Sequence, residues 1–122
     1  MIPLLLALAG GLGAVTRFVV DAEVGRRAGE AGLPLGTVVI NVSGSFLLGL
    51  LTGWWAFHTG DPGLKQVLGT GFLGGYTTFS TACVEASRLA RAGRGWTVFA
   101  HAAGMLVLGV GLAALGYWLG SR

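Results

Sequence analysis

Asn41 and the hydroxyl residues Thr77, Thr78, Ser80 and Thr81 stand in stretches otherwise made of Leu, Val, Ala, Phe and Gly. Such side chains offer hydrogen bonds without carrying charge. In the stretch 35–57, Thr37, Asn41, Gly44, Ser45 and Thr52 fall within about 100° of arc when the chain is wound at 100° per residue. One face of a helix here is polar and narrow. For Ser43, Ser45 and Thr52 the simplest role is a hydrogen bond to a neighbouring helix. Asn41 is a different case. Its amide costs about several kcal/mol to leave unpaired in an apolar medium, so it is expected as a donor facing a water-filled path.

The segment GTGFLGGYTTFSTACVEASRL, residues 69–89, carries the strongest signal. Gly-Gly followed by β-branched Thr is poor helix sequence. Irregular backbone at membrane depth is tolerated only where it is buried in protein or lines a cavity. A break around Gly74–Thr78 would free main-chain oxygens, and carbonyls at a broken helix suit a cation. Beyond it, Thr78, Thr81, Glu85 and Arg88 lie within about 80° of one another at helical spacing, a polar track running toward one surface. Glu85 and Arg88 also have the spacing of a simple interfacial pair. Arg17 follows an apolar run, GGLGAVTRF. It reads either as an arginine snorkelling to the interface or as an attractor for an anion at a pore mouth. His101 is expected at the interface, and Cys83 as a small buried apolar residue.

No nucleophile, base and acid stand at catalytic spacing, and no phosphate loop or Cys/His metal pattern occurs. The residues on offer coordinate ions and perform no covalent chemistry, so no enzyme is expected. A donor-rich, charge-poor track suits a small, strongly hydrated anion. Aromatic ring edges, with their partial positive charge, can add to it.

The elements that must hold these residues follow from hydropathy. The 122 residues are 53% hydrophobic and 11% charged, where a soluble domain carries about 25% charged residues. A membrane-crossing helix needs about 20 residues. Spans are predicted at about Ile2–Val20, Leu35–Phe57, Leu64–Leu89 and Trp96–Leu119, four helices that use nearly the whole chain as a single domain, 1–122. The N-terminus, MIPLLLALAGG, resembles a signal peptide but lacks a basic start, and its apolar run continues, so it is read as a mature helix. The connections hold most of the charge: Asp21, Glu23, Arg26, Arg27 and Glu30, then His58, Asp61 and Lys65, then Arg91 and Arg94. The Lys/Arg bias favours cytoplasmic first and third connections. Trp54, Trp55, Trp96, Tyr117 and Trp118 stand near span ends, where aromatic belts lie. The patterns Gly49–Gly53, Gly71–Gly75 and Gly116–Gly120 permit close helix approach and are read as packing rather than as a dimer seam. The net charge of +3 comes without a basic stripe interleaved with aromatics, so nucleic acid is not an expected partner.

Three segments together, GGLGAVTRF (Gly10–Phe18), GTVVINVSGSFLLG (Gly36–Gly49) and GFLGGYTTFST (Gly71–Thr81), resemble the Fluc (CrcB) family of fluoride channels in order and spacing. The resemblance covers nearly the whole chain. It implies an antiparallel, dual-topology homodimer with two fluoride pathways along the interface. It also implies a central sodium ion held by main-chain oxygens, which fall here on Gly74 and Thr77. The fluoride-lining Asn falls on Asn41 and the first pore phenylalanine on Phe79. Ser80 and Thr81 fall on the polar track, Glu85 on an acidic vestibule position and Arg17 on the first-helix Arg. Thr37 belongs to the same polar face as Asn41. Two departures stand out: Ala82 replaces the family's second phenylalanine and Cys83 the following Ser. The polar residue that the fourth helix supplies in the family has His101 as its only candidate.

The resulting expectation is an all-α integral membrane protein of four transmembrane helices, the third broken near its middle, multi-pass in the inner (plasma) membrane. It lets fluoride leave the cytoplasm passively, down its gradient. The alternative is a small four-span proton-coupled multidrug exporter, which needs an acidic residue at membrane depth in the first helix. A packing subunit that transports nothing leaves Asn41 and the 74–81 segment unexplained.

Overall fold

The computed structural model describes residues 1–29 and 33–122, and every regular element among them is helical. Glu30, one of the charges assigned to the first connection, lies outside the described residues. Helix α1 runs Ile2–Ala28, with a proline in its first turn. Proline there sacrifices no hydrogen bond, because that N–H has no partner inside the helix. Helix α1 outlasts the expected span by two turns, so Asp21, Glu23, Arg26 and Arg27 sit on helix rather than in a loop. Arg26 and Arg27 both pair with Glu23, at the spacing that brings side chains together on a helix. The arginines also suit the negative end of the helix dipole. Charge onset marks where the apolar layer ends; it does not mark where a helix must end.

Helix α2 spans Leu35–Phe57. Helix α3, residues 62–76, starts at Asp61, whose side chain accepts a hydrogen bond from the Leu64 N–H at 3.0 Å, an N-cap followed by proline. It is α-helical over Pro62–Gln66, π-helical over Val67–Leu73 and α-helical again over Gly74–Tyr76. In the wide stretch the Gly74 N–H reaches back to the Gly69 carbonyl, five residues away. Such π segments recur at functional sites. Helix α4 spans Phe79–Arg91 and α5 spans Gly95–Gly120. The turn between them closes α4 with paired bonds, Arg94 N–H to Leu89 O and Gly93 N–H to Ala90 O, both 3.0 Å. Gly93 takes the left-handed φ of 75° that this helix ending requires and that favours glycine.

Helices α1, α2 and α5 are each long and apolar enough to cross a membrane unaided. The remaining pass is shared by α3 and α4, neither of which reaches the roughly 20 residues a span requires. Exposed Leu4, Leu8, Leu12, Val107 and Val110 face where lipid replaces water.

Glycine sets the helix contacts. A Cβ on Gly49 would lie 2.1 Å from the Ala113 carbonyl oxygen, and one on Gly53 would lie 2.2 Å from that of Tyr117. In return, a Cβ on Gly116 or Gly120 would lie 2.2 or 2.3 Å from the carbonyl of Phe46 or Leu50. The two GxxxG patterns of α2 and α5 therefore interlock backbone to backbone. The third pattern does the same between α3 and α1: a Cβ on Gly75 would lie 2.1 Å from Gly10 O, and one on Gly13 would lie 2.1 Å from Phe72 O. Lipid tails are as apolar as Leu, so burial of apolar surface does not drive helices together here; close van der Waals contact does. Ile40, Leu73 and Tyr76 form the small buried core beside these seams.

Candidate functional site

The backbone leaves helical geometry at two consecutive residues. Thr77 has φ −77°, ψ 156° and Thr78 has φ −148°, ψ 122°, both extended. Three local features account for the break. The Thr77 N–H and its hydroxyl both donate to the Leu73 carbonyl, at 2.9 and 3.0 Å, which ends α3. The Thr78 hydroxyl accepts from the Thr81 N–H at 3.2 Å and caps α4, as Ser and Thr do at helix N-termini. Between these, the Thr78 N–H turns away from the Gly74 carbonyl, its helical partner, and donates to Asn41 Oδ1 at 2.8 Å.

Asn41 closes the arrangement. Its Nδ2 donates to the Thr78 carbonyl at 2.8 Å, so the side-chain amide satisfies both backbone groups of one residue. The second Nδ2 hydrogen meets only the Met105 sulfur, at 3.8 Å, a weak acceptor. Asn41 thus joins α2 to the break and retains one under-used donor. Gly44, a turn further along α2, admits the break: a Cβ there would lie 2.3 Å from Thr77 Cγ2. Ser43 shares a hydrogen bond with the Tyr76 hydroxyl at 2.9 Å, whereas Ser45, expected to bond a neighbouring helix, turns back to the Asn41 carbonyl of its own helix at 2.7 Å.

The remaining candidates cluster around this centre. Arg17 does not snorkel; its guanidinium donates to the Thr77 carbonyl at 3.4 Å. Thr37, buried, donates to Glu85 Oε1 at 2.9 Å, and the other carboxylate oxygen is buried without a partner. Thr37, and not Arg88, is therefore the side chain that holds Glu85. Thr81 is half-buried and hydrogen-bonded to Thr78 Oγ1 at 3.1 Å. Gly74, Ser80 and Phe79 open outward, Phe79 being 82% exposed.

A further expectation is overturned. Cys83 is exposed, and its neighbour Ala82 is the buried residue, at 7%. The break resets the phase of α4, so the inward stripe runs Thr78, Thr81, Ala82, Glu85, Leu89. Cys83 falls about 100° away from Ala82 at helical spacing. Two contributors were not read from sequence. Asp21 lines one groove with Arg17, Thr37, Thr78 and Thr81; its position four residues after Arg17 was the available signal. Met105 lies behind Asn41 with no local signal to mark it.

Grooves flank the break. One of 360 Å³ holds Arg17, Asp21, Thr37 and Thr81. Another of 340 Å³ holds Asn41, Ser45, Gly74, Thr77 and Phe79. Thr78 lines both. Hydroxyls, one amide and freed carbonyls along an interrupted helix can strip and replace the water around an ion.

The fold and this centre define a small multi-pass helical membrane protein with polar grooves on both sides of a broken helix. The chain belongs to the CrcB family: the family model for "CrcB-like protein, Camphor Resistance (CrcB)" matches residues 4–117. It is 53% identical over 124 residues to "Fluoride-specific ion channel FluC 2" of Cutibacterium acnes, covering 100% of this chain and 99% of the relative. It is 49% identical over 120 residues to "Fluoride-specific ion channel FluC 1" of Leifsonia xyli, covering 98% and 87%. It is 43% identical over 122 residues to "Fluoride-specific ion channel FluC 1" of Symbiobacterium thermophilum, covering 95% and 91%.

Proposed function

We propose that this chain is a passive fluoride channel of the plasma membrane, working as a homodimer of oppositely oriented copies with a sodium ion at its centre. The observation that carries the reading is the hydroxyl-rich break at Thr77–Thr78, flanked by the outward-facing Gly74, Phe79 and Ser80, in a chain whose relatives bear the name of fluoride-specific channels. Fluoride gives up a tight hydration shell only where donors replace it. Asn41 Nδ2, the hydroxyls of Ser80 and Thr81, and the edge of the Phe79 ring are such donors, and Arg17 supplies positive charge in the groove that Thr81 lines. Thr37 and Glu85 stand further along the same track.

The dimer is supported by what one copy leaves open. Gly74 and Ser80 expose polar groups at mid-span, and polar groups facing lipid are costly. A second copy laid over this face covers them and also covers Phe79. Sodium fits the donor set. The Gly74 carbonyl is released because the Thr78 N–H goes to Asn41, and among the described residues the Thr77 carbonyl has only the long contact to Arg17. Bound there, the ion supplies the positive charge that keeps facing carbonyls from repelling one another. The exporter alternative needs an acidic residue at membrane depth in α1, but Asp21 and Glu23 lie in its last two turns.

The decisive experiment is purified protein in fluoride-loaded liposomes, with an ionophore relieving charge build-up and an ion-selective electrode reading release. Fluoride should empty and chloride should not. Equal chloride flux, or proton-driven export of lipophilic cations, would overturn the reading.

A further inference from the structure

The face of α2 that carries Asn41 continues to Thr52, where it meets the first turns of α3. The two helices border a groove of 520 Å³ whose polar lining is Thr52, Lys65, Gln66 and Thr70. Leu48 and Gly69 line both this groove and the one that holds Asn41, Gly74 and Thr77. Gly69 keeps the junction clear: a Cβ there would lie 3.2 Å from Leu51 Cδ2 and 3.8 Å from Leu48 Cδ1. The groove leads from the break toward the membrane face where α2 ends and α3 begins. Arg17, Thr37 and Glu85 lie toward the opposite face.

The polar groups of this groove are not spent within the chain. Thr16 and Thr77 return their hydroxyls to the carbonyl four residues back, at 2.9 and 3.0 Å, a common use of Thr in a helix. Thr52 and Thr70 do not: among the described residues neither hydroxyl has a hydrogen-bond partner, and the bond to a neighbouring helix expected of Thr52 is not formed. Lys65 is half-buried and, among the described residues, is the only charge on the groove wall. It forms no ion pair among them, since the ion pairs there are those of Glu23. Asp61, one turn earlier, is turned to the Leu64 N–H instead. A half-buried ammonium without a carboxylate loses solvation that water or an anion must return.

We infer that Lys65, Thr52 and Thr70 form an anion-collecting mouth at the membrane face where α3 begins. The inference rests on the channel reading above and adds residues at the end of the path away from Arg17. The ligand is a small hydrated halide. A cation on the wall of a low-dielectric cleft raises the local concentration of anions, and the two hydroxyls offer donors as the anion moves toward Gly69 and the break. Lys65 sits on a flexible stem and acts as a point charge, so it attracts the anion without holding it in a fixed cage. In a homodimer of oppositely oriented copies, one such mouth opens at each membrane face. The two lysines then stand about a bilayer apart, well beyond the roughly 8 Å over which exposed charges interact at physiological salt.

The test is fluoride efflux from liposomes at low fluoride, for the wild type, Lys65→Arg, Lys65→Gln, Lys65→Glu and Arg122→Gln. Ionic strength is set with an impermeant organic salt at fixed sodium. Arg122, just beyond α5 at the same face, lies over the Trp118 ring at 4.1 Å and controls for charge outside the groove. At about 0.01 M, where charges act over about 30 Å, Lys65→Gln should slow release about three- to tenfold. Lys65→Glu should slow it further, while Lys65→Arg and Arg122→Gln should match the wild type. At about 1 M, where the range shrinks to about 3 Å, the Gln and Glu variants should approach the wild-type rate. A packing defect would not be cured by salt in this way. If Lys65→Gln yields no monodisperse protein, Lys65→Met carries the same comparison. Unchanged release in the Gln and Glu variants at low salt, a loss that persists at high salt, or an equal loss in Arg122→Gln would overturn the assignment. A wild type that passes no fluoride would overturn the channel reading itself, and this inference with it.

Discussion

Asn41 pairs with Thr78 through both ends of its side-chain amide, Nδ2 to the carbonyl and Oδ1 from the N–H, each at 2.8 Å. Helix α2 thereby supplies the two hydrogen bonds that the break removes from the third pass. The residue expected as a channel donor is also the residue that holds the helix break.

Asn41 substitutions should therefore affect fold and flux together. Asn41→Asp keeps the acceptor for the Thr78 N–H but leaves the Thr78 carbonyl without its donor. An unmet buried carbonyl costs about 1–3 kcal/mol. Thermal unfolding in detergent should fall along with fluoride release. An Asn41→Asp protein with wild-type stability and lost flux would assign the amide to the ion alone.

Phe79 gives the opposite pattern. Its side chain is 82% exposed in one copy, so Phe79→Ile removes little packing within the chain. Its secondary structure and yield should match the wild type. Fluoride release should fall by about tenfold or more, since each 1.4 kcal/mol lost from the barrier-lowering contacts is tenfold in rate. Unchanged release would remove Phe79 from the path.

The glycine seams separate by position. Gly49→Ala places a Cβ 2.1 Å from the Ala113 carbonyl, whereas a Cβ on Gly111 meets nothing within 4 Å. Forced into a close-packed backbone contact, the extra carbon costs about 1–3 kcal/mol. Gly49→Ala should lower the unfolding temperature and the yield of folded protein, and Gly111→Ala should leave both unchanged. Equal behaviour of the two would mean that the α2–α5 seam is looser than described.

Sodium should stabilise the protein if the Gly74 and Thr77 carbonyls hold it. A ligand that binds only the folded form adds about 2.7 kcal/mol at a hundredfold excess over its dissociation constant. The unfolding temperature should rise with sodium at constant ionic strength and fall when a bulky organic cation replaces it. Identical melting in the two salts would count against the site.

Thr37→Val tests the outer end of the track. Thr37 is 1% exposed and holds Glu85 Oε1 at 2.9 Å. Losing a hydrogen bond to a charged group costs about 1.5–3 kcal/mol. Thr37→Val should lower stability, and Thr37→Ser, which keeps the hydroxyl, should restore most of it. Failure of Ser to rescue would show that the methyl, and not the hydrogen bond, matters.

Hydropathy alone placed α2, α5 and the apolar part of α1, because crossing a bilayer constrains long runs of single-residue character. The break was legible too, since Gly74, Gly75, Thr77 and Thr78 are poor helix formers in any surroundings. The sequence could not reveal who meets whom. Asn41 pairing with Thr78, Arg17 reaching the Thr77 carbonyl and Gly49 lying on Ala113 all join residues far apart along the chain. Each depends on where two helices cross. Ala82 facing inward and Cys83 outward depends on the phase of α4 after the break, which two extended residues reset. Composition and propensity are properties of one residue and its neighbours; partners and facing are settled only when separate helices pack, and here the glycine seams decide how closely they do.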